Sequence, residues 1–146
     1  MGRLSFHAKA HPLAMYQALE KAMNKSNKKV ICIDGDGSLI MHLGILSTIG
    51  MVQPNNFYHI LINNKVHESV GGQETSAGYI NIPSIAKATA YKKVISLDAE
   101  DALKRAIIPF VDAQGPNFLE VIVQPGSRKN LGRPVTGPVH NKQALM

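Results

Sequence analysis

The chain has 146 residues, enough for one compact domain with a hydrophobic core of its own. Hydrophobic residues make up 45% and charged residues 18%, an ordinary globular balance, and no apolar run approaches the roughly 20 residues of a membrane span. The formal charge is +6, but the basic residues are scattered and four Phe, four Tyr and no Trp make a poor stacking platform, so solvated surface is favoured over nucleic-acid binding.

In chain order, residues 1–11 show no periodicity and read as irregular. Pro12 is placed to open a helix, and Leu13, Tyr16, Leu19, Ala22 and Met23 recur at helical spacing. Residues 30–34 form an apolar strand that contains Cys32, the single cysteine. No intrachain disulfide is possible, and an inert core thiol fits a reduced, cytoplasmic setting. Residues 1–15 carry no secretory pattern. Ser38 starts a second helix with Leu39, Leu43, Leu46 and Ile49 on its apolar face. Pro54-Asn55-Asn56 is a turn, and 57–63 is a second buried strand. A Gly-rich loop, Val70–Thr75, precedes a short helix through Ile85, Ala86 and Ala90. Residues 94–97 are a third strand. Asp98, with Asp101 three residues on, caps a helix to about Ala113 in which Pro109 introduces a kink. Residues 118–123 are a fourth strand, and 124–146 form an extended tail.

Apolar strands alternating with helices indicate an α/β fold: a mostly parallel sheet between two helical layers, with ligands at the carboxyl ends of the strands. Two motifs fall there. Asp34-Gly35-Asp36-Gly37-Ser38 follows the first strand, and Asn63-Asn64 closes the second, with 25 residues between Gly37 and Asn63. A carboxylate and an amide are hard oxygen ligands for a magnesium-like cation, and the glycines allow a phosphate to approach the backbone. Three readings stay open on these residues. One is a plain strand-to-helix turn capped by Asp36. Another resembles the opening motif of the haloacid-dehalogenase phosphatases, with Asp34 as nucleophile, Asp36 as general acid, and Asp98 and Asp101 as a second acidic pair. The third uses both motifs for one metal-bound diphosphate.

Gly35-Asp36-Gly37 and Asn63-Asn64 at this spacing resemble the two-part motif of the thiamine-diphosphate enzymes. One helix and one strand return the chain to the same sheet edge. The resemblance implies a three-layer αβα thiamine-diphosphate-binding fold. It makes Asp36, Asn64 and the Val66 carbonyl ligands of Mg2+, and Gly35, Asp36, Gly37, Ser38 and Asn64 the residues that bind the cofactor. A helix start near Ser38 adds a favourable dipole for the diphosphate. Asn63-Asn64-Lys65-Val66-His67-Glu68-Ser69-Val70-Gly71-Gly72-Gln73-Glu74-Thr75 is similar to the post-motif loop of phosphonopyruvate decarboxylases. Leu131-Gly132-Arg133-Pro134 and Asn141-Lys142 resemble that family's C-terminus, so the likeness runs from Lys28 to Lys142, or 115 of 146 residues.

The resemblance implies decarboxylation of 3-phosphonopyruvate to phosphonoacetaldehyde and CO2. His67 and Gln73 are the candidate catalytic residues, and Glu68 is a further substrate contact. The sulfopyruvate decarboxylase β subunit is the alternative, a non-catalytic truncated fragment a second, and a phosphatase a remote third. The family's cofactor-activating glutamate lies in another domain, which a chain of this length does not contain. A pyrimidine-binding domain or subunit is therefore the expected partner, in an oligomer. The family also places a Gly-Ser-Met-Gly-His-like segment upstream of the metal aspartate, where this chain has Lys9-Ala10-His11-Pro12-Leu13. The expected division is thus an atypical segment 1–17, a cofactor-binding domain 18–123 and a tail 124–146.

Overall fold

A computed structural model describes the backbone of residues 5–8, residues 13–25 and 27–126, and positions 130, 137, 139, 140 and 143. Its centre is a five-stranded sheet in the order β1-β2-β3-β7-β6, formed by β1 (Ser5–Ala8), β2 (Val30–Gly35), β3 (Phe57–Asn63), β6 (Lys93–Leu97) and β7 (Asn117–Ile122). Every neighbouring pair is parallel. A short antiparallel hairpin, β4 (Val66–His67) with β5 (Gln73–Glu74), stands apart from it.

Side-chain alternation along the strands divides the core in two. Val30, Cys32, Phe57, Leu61 and Phe118 face a layer of four helices: α1 (Ala14–Asn24), α2 (Asp36–Met41), α3 (Ile45–Val52) and α4 (Ile82–Ala88). Ile31, Tyr58 and Leu119 face α5 (Glu100–Asp112), which buries Phe110 against them. The three-layer αβα architecture read from the sequence is the one observed.

Four local expectations are corrected. Residues 5–8 are not irregular: they pair with β2, Ser5 opposite Val30 and Ala8 opposite Ile33. Four residues are too short for a period to register, and edge pairing needs only backbone groups. The helix expected to run from Ser38 begins at Asp36, with extended Gly35 as its N-cap, so Asp36 is its first residue rather than its cap. That helix also breaks. His42 N–H donates to Leu39 O and Ile45 N–H to His42 O, separating α2 from α3 while Leu39, Ile45, Leu46 and Ile49 all reach one core. The N-cap of α5 is Ala99, not Asp98, and no side chain caps it; Glu100 and Asp101 place their charge in its first turn instead. The tail expected over 124–146 lies mostly outside the described residues.

His59 sits in the middle of β3, fully buried, with burial pushing its pKa down to about 3, so it is neutral at physiological pH. Cys32 is buried too, and burial, helped by the Asp34 carboxylate, pushes its thiol up to about 12. It is the inert core thiol its strand position implies. Among the described residues no helix is long and apolar enough to cross a membrane.

Candidate functional site

The register of the sheet builds the site. Gly35 at the end of β2 stands opposite Ile62 of β3, so Asp36 and Asn64 leave neighbouring strands at the same carboxyl edge. Between them opens a cavity of about 460 Å³. Gly35, Asp36, Gly37 and Ser38 line one side of it. Asn64, Val66 and His67 line the other. Met41 and Ile62 add apolar wall. Seven of the eight residues singled out from the sequence therefore meet in one place.

Gln73 is the eighth, and the structure does not bring it in. It pairs with His67 across the β4–β5 hairpin, is exposed, and does not line the cavity. Glu68 does line the cavity, and its carboxylate accepts a hydrogen bond from the Gly126 amide. Asp98 and Asp101 lie at the end of β6, separated from β2 by β3 and β7. At about 4.8 Å per strand, that distance removes them from any centre shared with Asp34.

Asp36 is buried, at 3% exposure, and its Oδ2 accepts a hydrogen bond from the Thr75 hydroxyl. Asp34 is as deeply buried, and its Oδ1 accepts from the Gly35 amide at 2.9 Å. Burial pushes the Asp34 carboxyl up to about 6; the adjacent Ser38 hydroxyl and Gly35 amide oppose the rise, and the Asp36 carboxylate adds to it. Asp34 Oδ2 and Ser38 Oγ are both buried without a well-formed hydrogen bond. Native interiors rarely leave such atoms unmatched, and here they border the cavity.

The second motif divides its labour by strand alternation. Asn63 is buried and faces inward: its Nδ2 donates to Glu120 Oε1 at 2.8 Å, and its Oδ1 accepts from the Lys65 amide at 3.1 Å. Ser96 Oγ donates to the other Glu120 oxygen at 2.6 Å. Asn64 points the other way, to the cavity, and its Oδ1 accepts from the Val66 amide at 3.2 Å, which leaves a second lone pair. Lys65, in the left-handed region at φ 62°, turns the chain directly after them. The Glu120 network was missed from the sequence; its one signal was a charge inside an otherwise apolar strand.

Glycine at 37 makes room for a side chain. A Cβ there would fall 2.3 Å from His67 Cε1 and 2.4 Å from its Nδ1, so the imidazole lies directly against the Gly37 backbone. The three ligands expected from the sequence are all oxygen donors: the Asp36 carboxylate, the Asn64 amide and the Val66 backbone carbonyl. No group of three or more His, Cys, Asp or Glu able to hold a metal occurs among the described residues. The set therefore suits a hard cation that brings its own phosphate ligands, and the unmatched Ser38 hydroxyl beside it is a donor that suits a diphosphate oxygen.

Comparison with known proteins agrees with this geometry. Residues 2–121 match the family described as thiamine pyrophosphate enzyme, C-terminal TPP binding domain. The chain belongs to the thiamine pyrophosphate enzyme family. The match takes in β1 and the whole of α1, so it begins well before residue 18. Phosphonopyruvate decarboxylase from Streptomyces viridochromogenes is 37% identical over 111 residues, covering 76% of this chain and 28% of that protein. Sulfopyruvate decarboxylase subunit beta from Methanocaldococcus jannaschii is 40% identical over 90 residues, covering 61% of this chain and 47% of that subunit. The chain thus spans less than half the length of either relative. Among solved structures, 2-oxoglutarate:ferredoxin oxidoreductase from Magnetococcus marinus superposes with a TM-score of 0.68 at 14% identity, over 79% of this chain and 46% of that one, and so shares its fold.

Proposed function

We propose that this chain is the diphosphate-binding domain or subunit of a thiamine-diphosphate- and Mg2+-dependent decarboxylase acting on 3-phosphonopyruvate. The observation that carries the reading is the single cavity shared by Asp36, Asn64 and Val66, whose oxygens form a set for a hard cation. Asp36, the Asn64 amide oxygen and the Val66 carbonyl would hold the metal. Ser38 and the backbone at Gly35 and Gly37 would receive the diphosphate, which would give the buried Ser38 hydroxyl a partner. When bound, the cofactor supplies the carbon nucleophile and electron sink that a 2-keto acid needs to lose CO2.

The chain's own residues orient and enclose. His67 sits at the cavity wall, where an imidazole can bind the phosphonate or carry a proton. Met41 and Ile62 exclude water from one side. The partner is a pyrimidine-binding domain or subunit, a reading supported by relatives that are a longer chain or a β subunit. Sulfopyruvate is the second candidate substrate, supported by the 40% identity to a sulfopyruvate decarboxylase β subunit.

The test is CO2 release from 3-phosphonopyruvate and from sulfopyruvate. Each is assayed with the chain alone and with a pyrimidine-binding domain supplied from the Streptomyces enzyme or the methanogen's companion subunit. Turnover only in the mixture, lost on Asp36→Ala, is expected. Turnover by the chain alone would overturn the partner requirement. Calorimetry showing no uptake of thiamine diphosphate with Mg2+ in the mixture would overturn the cofactor assignment and favour a non-catalytic fragment.

A further inference from the structure

Asp36 and the loop that carries Asn64 and Val66 are joined by a residue given no role so far. Thr75 lies 39 positions from Asp36, yet its hydroxyl donates to Asp36 Oδ2. Thr75 is buried, at 4% exposure. Its oxygen also accepts the Ala77 amide at 3.3 Å, as the N-cap of the short turn Ser76–Gly78. A hydroxyl has one proton to give. With the backbone N–H on its acceptor side, that proton is directed to Asp36. Asp36 Oδ1 has no hydrogen-bond partner among the described residues.

The same residue closes the loop. The Thr75 amide donates to Lys65 O at 2.9 Å, Gly72 donates to His67 O at 2.9 Å, and Val66 pairs with Glu74. Residues 65–75 therefore form a closed unit whose far end is pinned to the first motif. Without that pin, the two motifs would be tied through the sheet edge and the packing of His67 on Gly37.

We propose that Thr75 is a positioning residue for the cation site: it holds Oδ2 of Asp36, leaves Oδ1 to face the metal, and fixes the Asn64–Val66 loop against Asp36 before any cofactor arrives. This assignment rests on the reading of Asp36 as a cation ligand. Partners of metal ligands typically change affinity by roughly 10- to 100-fold when removed.

The experiment compares Thr75→Val, which keeps the shape and loses the hydroxyl, with Thr75→Ser, which keeps the hydroxyl. Mn2+ is the probe, measured by electron paramagnetic resonance in the presence of thiamine diphosphate, on the chain with its pyrimidine-binding partner. Amide hydrogen exchange at Gly72 and Thr75 is read on the chain without cofactor. Thr75→Val should weaken Mn2+ binding roughly 10- to 100-fold and speed exchange at both amides by about tenfold. Thr75→Ser should restore both. Wild-type Mn2+ affinity in Thr75→Val would overturn the proposal, as would a Thr75→Ser variant no better than Thr75→Val. Absence of Mn2+ binding by the unsubstituted protein would instead remove the cofactor reading, and the Thr75–Asp36 tie would then stand or fall on exchange alone.

Discussion

Acidification strains the core through one imidazole. His59 is enclosed by Phe57 and Phe118, at ring-centroid distances of 6.2 and 5.0 Å. Its Nδ1 faces the Tyr91 hydroxyl at 3.3 Å, and its Nε2 has no partner. With a native pKa of about 3 and an unfolded value near 6.5, the unfolded chain takes up a proton that the native state refuses. Stability from this group is therefore complete above about pH 6.5 and falls as the pH drops toward 3. The limiting slope is about 1.4 kcal/mol per pH unit, which amounts to roughly 2–3 kcal/mol between pH 7 and 4.5. Asp34 has the opposite sign. Its native value of about 6 lies above the ordinary 3.8, so the native state keeps a proton that the unfolded chain releases, and stability falls as the pH rises through that window. Between about pH 4 and 6 the two roughly cancel, so the unsubstituted protein hides both. The revealing variant is His59→Leu, apolar and similar in volume. Urea unfolding followed by circular dichroism should show the stability difference between the two proteins shifting by about 2–3 kcal/mol in favour of the variant between pH 7 and 4.5. A difference that stays constant with pH would mean His59 protonates within the fold, and would refute the reasoning.

Other substitutions probe single contacts. A Cβ at Gly50 would lie 1.7 Å from the Thr89 carbonyl oxygen, which is backbone and cannot swing aside. Gly50→Ala should therefore lower unfolding free energy by about 1–3 kcal/mol in urea titration. Asn63→Ala strips one donor from the buried Glu120 carboxylate, and a loss of about 2 kcal/mol is expected by the same assay. Cys32 should resist a disulfide reagent in the native protein and react at once in denaturant; equal rates would contradict its burial. Gly37→Ala should displace the His67 ring, and a wild-type imidazole NMR shift in that variant would refute the contact.

Much of this was legible in the chain because two signals were local. β2 and β3 are continuous apolar runs, and the polar residues that end them mark the carboxyl edge of a parallel sheet. Gly35, Asp36, Gly37, Ser38 and Asn64 follow from that placement, whereas Val66 and His67 came with the loop's resemblance to a known family; all seven line one cavity. What stayed illegible was long-range. Thr75 reaches Asp36 across 39 residues, and Asn63 reaches Glu120 across 57. No periodicity or spacing links such pairs; only the fold does. β1 failed for the reverse reason, since four residues carry too little pattern to register as a strand. Gln73 entered through the loop's resemblance to a known family; it stands opposite His67 in the hairpin, yet it is exposed and does not line the cavity.

The two asparagines show why a paired motif is more than a doubled ligand. Asn63 spends its side chain on Glu120 and the Lys65 amide, so it fixes where β3 ends and how the next residue turns. Asn64 is then delivered to the cavity by strand alternation and by the left-handed turn at Lys65. Across the gap, Thr75 holds the carboxylate, and Gly37 makes room for His67. The Asn63–Glu120, Thr75–Asp36 and His67–Gly37 ties join residues far apart in the chain. A cation bound as proposed above would meet ligands already in place, so binding need not supply the free energy of ordering an eleven-residue loop (Lys65–Thr75). Of the three ligands proposed above only Asp36 carries a formal charge, so a cation held by them would draw its further charge compensation from the diphosphate it binds.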